Sequence, residues 1–403
     1  MTTWRHLGIG SLILLGMANP AWAANAAFQS YFFDVCSSAT GNLGTLCGVS
    51  AGGDLSGSSE SSLNPSQSLA NNDAGLNSAR SRGDDPFGAR AAEVVLGKSE
   101  VGPFGVLVQA RGAFEELDRT PDVDNERGYE SDLWALDIGF DQAVDEHFTW
   151  GGIFTIGRDN IDFDADVAGV NFAPTSSSGS IDADSLGLRL FGQWRMDAWY
   201  LEATAGYTSY SYDLTRKSVF QESTRTLPVV YSSTSANPDG DLVVASVAAG
   251  YDWTRGAWTI GLTSSLAYSS SEVDAYRESD DSLTGLAIVV DETERESMIG
   301  ALSLDLTRAI SMGGGVIVPQ ARLQYQHEFD RDAERASSRF VLDPTQTTFA
   351  TVNDQPDEDY GAAAVGVVFV FANGWMPYLE AEMLFGYKDL DRYAFTAGIR
   401  REL

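Results

Sequence analysis

From Phe104 onward, apolar and polar residues alternate in short runs. Val106, Val108, Ala110 and Phe114 share one face of the first run, and Gln109, Arg111 and Glu115 share the other. Trp134, Leu136, Ile138 and Phe140 oppose Asp137 and Asp141 in the next. Leu186, Leu188, Leu190 and Trp194 then oppose Arg189, Gln193 and Arg195, and Trp199, Leu201, Ala203 and Tyr207 oppose Glu202 and Thr204. Near the end, Leu323 and Tyr325 oppose Arg322, Gln324, Gln326 and Glu328, and Leu379, Ala381, Met383 and Phe385 oppose Glu380 and Glu382. Tyr393, Phe395, Ala397 and Ile399 close the series opposite Thr396 and Arg400. Side chains on a strand point to alternate faces, so each run is a strand with one greasy and one wet side. The pattern predicts strands over 104–117, 130–144, 147–164, 181–196, 198–215, 241–255, 257–274, 293–309, 315–331, 357–372, 374–388 and 391–403.

A soluble β-sandwich alternates in the same way, so further features decide. Aromatic residues sit on the apolar faces near segment ends, at Trp134, Trp199, Trp253, Trp258, Trp375 and Tyr393, where a bilayer interface favours them. Connections alternate too. Short turns fall at Val144–Glu146, Met196–Asp197, Arg255–Gly256, Ser311–Gly314 and Asn373–Gly374, with long acidic loops between them. Outer-membrane barrels have short periplasmic turns on one rim and long external loops on the other. The longest late apolar run, Ala362 to Ala372, is too short for a spanning helix but suits a membrane strand of ~9–11 residues. An open sheet edge in lipid would leave backbone groups unpaired at several kcal/mol each, so the sheet must close.

The fold class expected is therefore all-β and membrane-embedded: a closed antiparallel transmembrane β-barrel of about 12 strands. Its wet face is a mixed but acid-leaning interior. Arg111, Asp137, Asp141, Arg189, Glu202, Asp305, Arg322, Glu328, Glu380, Glu382 and Arg400 are the expected pore-lining residues, with Glu115 and Arg195 beside them. Facing lipid instead, each Arg or Lys near the midplane would cost ~2–4 kcal/mol, and a dozen such charges would prevent insertion.

Met1 to Ala23 reads as a secretory signal peptide, with Arg5, the apolar run Leu7–Ala18 and the small-x-small site Ala21-Trp22-Ala23. Beyond it lie a short N-terminal region (24–63), a linker and candidate pore helix (64–98), and the barrel (99–403). Export permits disulfides, so Cys36 and Cys47 are expected to close one short loop, with two free thiols as the alternative. Residues 24–63 fit either a small helical hairpin plugging one rim or an exposed stub. Residues 64–84, rich in Asn, Ser and Ala with Arg80 and Arg82, suit a helix in a wet pore; a disordered linker after the Gly/Ser-rich stretch 52–62 is the other reading. Twelve strands enclose room for one helix, between the filled eight-stranded and the open 16–18-stranded cases.

Composition narrows the function classes. Of 403 residues, 57 are Asp or Glu and 26 are Lys or Arg, the reverse of a nucleic-acid binder. The 40 glycines and 44 aromatics fit strands and turns, and two cysteines with three histidines offer no zinc pattern.

The C-terminal half resembles the autotransporter β-domain of type V secretion. Pro319 to Phe329 reads PQARLQYQHEF, similar to the strand P-x-A-R-L-x-Y-x-H-E-F of that family. Phe371-Ala372-Asn373-Gly374-Trp375 resembles its turn between two late strands, Tyr393 to Arg400 its closing strand, and Ile181 to Gly187 an earlier strand start. The resemblance covers about residues 90–403. It implies a twelve-stranded barrel crossed by an N-terminal helix, and assembly machinery that recognises the last strand through Tyr393, Phe395, Ala397, Ile399 and the terminal Leu403. Family members often end in an aromatic residue and carry one two positions earlier; Leu403 and Arg401 stand there. They also usually carry a long β-helical passenger, and no stacked repeats are visible between 24 and 98.

Chemistry is sparse. Asn71-Asn72-Asp73 would be a self-cleavage point of the kind some family members use, although tolerated asparagines explain it better. His327 beside Glu328 is better explained as a histidine paired with the neighbouring strand than as a general base. Acidic loops near 115–132, 272–296 and 328–359 suit calcium, or divalent ions shared with lipopolysaccharide phosphate, only secondarily to a solvated rim. The expectation is a non-enzymatic, monomeric translocator or surface structural protein in the outer membrane of a Gram-negative bacterium. It displays a short N-terminal segment and carries no cofactor or metal. Its partners would be lipid, lipopolysaccharide and the barrel-assembly machinery, with no nucleic acid. The alternative is a pore for small solutes gated by its N-terminal plug.

Overall fold

The computed structural model describes residues 34–49, 104–119, 128–164, 179–220, 230–352 and 354–403. The signal peptide, the candidate pore helix at 64–84 and Asn71–Asp73 lie outside them. Among the described residues, the helix α1 (Gly41–Val49) precedes nineteen strands. In chain order these are β1 (Phe104–Leu117), β2 (Tyr129–Ala143), β3 (Phe148–Phe163), β4 (Ser180–Met196), β5 (Trp199–Phe220), β6 (Val230–Ala236), β7 (Asp239–Arg255), β8 (Trp258–Val273), β9 (Tyr276–Arg277) and β10 (Ser279–Asp280). There follow β11 (Ile288–Val290), β12 (Thr293–Arg308), β13 (Ile310–Met312), β14 (Gly315–Glu328), β15 (Arg335–Phe340), β16 (Phe349–Val352), β17 (Asp359–Phe371), β18 (Trp375–Phe385) and β19 (Leu390–Glu402).

Twelve of these form the wall. Each of β1, β2, β3, β4, β5, β7, β8, β12, β14, β17, β18 and β19 pairs antiparallel with the next, and β19 returns to β1. The closing register runs from Gly105 opposite Glu402 to Leu117 opposite Leu390. The sheet thus has no free edge along its wall, as a lipid-embedded sheet requires. Among the described residues no helix is long and apolar enough to cross a membrane.

The short connections gather at one rim. There the chain turns through Asp197-Ala198, Arg255-Gly256-Ala257, Gly313-Gly314 and Ala372-Asn373-Gly374; Gly256 and Gly374 take φ of +65° and +81°, which a Cβ disfavours. Asp145 closes another of these turns by accepting the amides of His147 (2.7 Å) and Phe148 (2.9 Å). Those two bonds hold its carboxyl below the usual aspartate range. β1 starts at this rim and β19 ends there.

The other rim differs from expectation. The stretches 272–296 and 328–359, read from sequence as acidic loops, fold into a four-stranded sheet in the order β16-β15-β11-β9. β5 runs on to Phe220 rather than ending near 215, and pairs there with β6. The physical reason is apolar burial. Leu286, Ile288, Val290, Ala336, Phe340 and Phe349 form a closed cluster with Val35, Leu43, Leu46 and Cys47 of the N-terminal region. The described part of that region, 34–49, is a helical turn followed by α1, joined by a disulfide between Cys36 and Cys47. It is no exposed stub: it packs on the sheet at the long-loop rim.

Candidate functional site: the charged lumen, the apolar belt and the outer cap

Along β2, Ser131, Leu133, Ala135 and Asp137 are buried while Trp134, Leu136, Ile138 and Phe140 are exposed. The same alternation runs round the wall, and it sorts the charges inward. Arg111, Asp137, Asp141, Arg189, Glu202, Asp305, Arg322, Glu328, Glu380, Glu382 and Arg400 are buried or partly buried on the face opposite the exposed apolar side chains.

Several of them bond across the seam where β1 meets β19. Midway up, Asp137 is fully buried and accepts Arg111 Nε at 2.5 Å, Arg111 Nη2 at 3.0 Å, Gln109 Nε2 at 2.7 Å and Thr155 Oγ1 at 2.5 Å. Gln109 Oε1 in turn accepts the Tyr378 hydroxyl from β18, so one network spans β18, β1, β2 and β3. Tyr378 reaches it by lying against Gly398, where a Cβ would meet the ring at 2.4 Å. Nearer the turn rim, Arg400 binds Asp141 in bidentate fashion at 3.0 and 2.7 Å, across Gly105 of β1. Nearer the loop rim, Arg392 Nε meets Glu115 at 3.0 Å. The seam is thus crossed at three heights, by the Tyr378–Gln109 hydrogen bond, by the Arg392–Glu115 ion pair and by the Arg400–Asp141 fork, whose planar geometry fixes orientation as well as charge.

Elsewhere the wall carries similar ties. Arg322 meets Asp305 on the adjacent strand at 3.0 Å, and Arg195 reaches over β5 to Asp252 at 3.1 Å. Glu328 accepts Ser297 Oγ at 2.6 Å and the Met298 amide at 2.8 Å, so it secures β12 against β14. Arg189, Glu202, Glu380 and Glu382 face the interior as partly buried groups.

Outward, the wall is a belt. Leu201, Leu262, Leu266, Leu302, Leu304 and Leu306 are all exposed apolar side chains. Below the belt stand Trp199 against Tyr251, Phe140 against Trp150, and Trp258 and Trp375 each under an arginine. Above it, Phe114 packs edge-on against Trp134, and the hydroxyls of Tyr207, Tyr268 and Tyr325 donate to Asp241, Glu296 and Asp359 on neighbouring strands. From Trp199 to Tyr207 is eight residue steps and from Trp258 to Tyr268 ten. At ~3.4 Å per step and a tilt of about 40°, that is a height of about 21–26 Å, against the ~25 Å apolar band of outer-membrane barrels. Beyond the tyrosines carboxylates stand opposite one another, Asp241 beside Glu272 and Glu272 beside Glu294.

Two groups of the described residues bring three ligating side chains within 4.8 Å: His327, Glu358, Asp359 and Glu272, Asp274, Glu292. His327 is already engaged, its Nδ1 lying 2.8 Å from Asp359 on β17.

The outer cap was not foreseen from sequence. Its anchor is Arg216 on the extended part of β5, which forks onto Glu278 (2.8 and 2.5 Å) and also donates to the Leu286 carbonyl at 2.8 Å. Glu278 takes the Ile288 amide at 3.0 Å. The pair is buried on both sides and fixes the loop sheet to the wall.

A closed twelve-stranded wall, an apolar belt of membrane height and a charged interior define an outer-membrane-type β-barrel. The model of the autotransporter β-domain matches residues 106–382, and the chain belongs to that family. It is similar to the translocator domain of the autotransporter NalP from Neisseria meningitidis, with a TM-score of 0.59 and 15% identity, covering 82% of this chain and 97% of that one. It is also similar to the transport unit of the autotransporter AIDA-I from Escherichia coli, with a TM-score of 0.51 and 9% identity over 79% of this chain and 97% of that one. No curated protein matches in sequence. At such identities the likeness is one of fold, and the family assignment rests on the matched model.

Proposed function

We propose that this translocator barrel carries its own N-terminal segment to the external face and displays residues 34–49 there. One observation carries the reading. The 34–49 head sits at the long-loop rim, whereas Phe104 begins β1 at the short-turn rim. The chain between them therefore starts at one end of the barrel and finishes at the other.

The remaining parts follow the same logic. Residues 1–23 direct export, and the barrel resides in the outer membrane of a Gram-negative bacterium, among lipid and lipopolysaccharide. The closing strand, with Tyr393, Phe395, Ala397, Ile399 and Leu403, is what the assembly machinery reads. The barrel works as a monomer and as a transport unit without chemistry of its own. Arg111, Asp137, Asp141, Asp305, Arg322, Glu328 and Arg400 tie strands of the wall together.

The test is surface accessibility. An antibody raised against residues 34–49 should bind intact cells. Binding only after the outer membrane is permeabilised would refute display. Deleting residues 24–90 should raise single-channel conductance; high conductance in both the full chain and the deletion would favour a solute pore.

A further inference from the structure

The sheet at the long-loop rim has an apolar face, and the head covers it. Leu43 is fully buried there, with Val35, Leu46 and Cys47 beside it, against Leu286, Ile288 and Phe340. The fit is specific. Gly285 has φ +88°, and a Cβ on it would lie 2.3 Å from the Leu43 backbone nitrogen. Only a glycine permits that approach.

Polar contacts fix the orientation. The Thr40 amide and hydroxyl both donate to the Leu342 carbonyl at 3.3 Å, and Ser38 Oγ donates to Asp343 Oδ1 at 3.3 Å. The Asn42 side-chain amide donates to the Leu283 carbonyl. Contacts therefore come from both loop segments, 281–290 and 336–349.

Neither part could be stable alone. α1 reads GNLGTLCGV, with three glycines in nine residues, and a helix that short is marginal in water even for good helix formers. The sheet, with strands of two to six residues, would expose its apolar face.

We propose that residues 34–49 are a clasp: a disulfide-tied head that supplies the missing core layer of the loop sheet, so that head and sheet are ordered only together. The occupant of this surface is the chain's own N-terminal region. The proposal deepens the display reading and rests on it for which side of the membrane the clasp occupies. It makes the displayed segment a fixed part of the barrel's outer surface. The path of attachment is continuous, from the head to Leu286 and Ile288, through Glu278 and Arg216, to β5.

Hydrogen exchange on the full chain in lipid nanodiscs tests this. The double variant Leu43→Asp/Leu46→Asp alters only the head. It should speed exchange of the β11 and β15 amides at least about tenfold, with amides at the β1–β19 seam unchanged. Gly285→Val alters only the sheet and should speed exchange from Leu43 to Cys47 by a similar factor. In the unaltered protein, dithiothreitol reduces the bond by two electrons and two protons, giving two thiols and cyclic oxidised dithiothreitol. Both regions should then loosen. Wild-type exchange of β11 and β15 in the head variant would overturn the clasp, even where the antibody finds the head outside the cell. An antibody that fails on intact cells while the exchange coupling persists would overturn display and leave the clasp standing.

Discussion

Removing the charge of Asp137 is the sharpest probe of the interior. Its carboxylate takes four bonds, two of them from Arg111, and it is fully buried, with Arg111 at 8% exposure. Asp137→Asn leaves the guanidinium buried without a counter-charge. Breaking a buried pair from one side costs ~3–5 kcal/mol, whereas removing both charges is often near neutral. Arg111→Met combined with Asp137→Asn drops both charges and keeps an amide oxygen for Thr155 Oγ1, so it should recover to within about 1–2 kcal/mol of wild type. Reversible urea unfolding in lipid vesicles, followed by tryptophan fluorescence, reads these differences. A single-variant cost under about 1 kcal/mol, the range of solvent-exposed pairs, would refute the argument, because it would mean that water solvates Arg111 at this height. So would a double variant whose loss equals the sum of the two singles.

Other outcomes follow from the same geometry. Leu304 is outward-facing and 49% exposed within the belt, so Leu304→Arg should cost ~2–4 kcal/mol in vesicles, a penalty that a solvated sheet would not show. Cysteine-to-serine exchange at 36 and 47, which opens a loop of sequence separation 11, should destabilise the head by ~3 kcal/mol on loop entropy and hasten its digestion by proteinase K on intact cells. Asp343 is partly desolvated, which alone would raise its pKa, yet hydrogen bonds from Thr345, Thr347 and Ser38 hold it below the usual range. A depressed carboxyl adds stability above the unfolded value near ~3.9 and loses it as pH falls through the folded value. Head protection should therefore weaken in acid below about pH 4, and Asp343→Asn should remove that step.

The wall was legible because its side-chain period is two and its two solvents differ. Most wall strands read as alternation, so Asp137 and Arg400 could be assigned inward without knowing their partners. What bonds to what was not legible: Arg400 meets Asp141 across β1, a pairing set by register between strands at opposite ends of the chain. The cap was missed for a different reason. Its acidic composition reads as solvated loop, yet Leu286-Ala287-Ile288-Val289-Val290 is an apolar, β-branched run inside it, and that run was the available signal. α1 gives almost none, since its glycine-rich sequence is helical only through what it packs against.

A membrane barrel requires the exposed apolar face of the wall to meet lipid. Spin labels placed singly at Thr263, Ser264, Ser265 and Leu266 of β8, in the full chain reconstituted into bilayers, report this directly. The labels at Ser264 and Leu266 should relax strongly with oxygen and weakly with a water-soluble nickel chelate, and those at Thr263 and Ser265 should not follow them. Nickel access at all four positions alike would contradict the membrane barrel at its root.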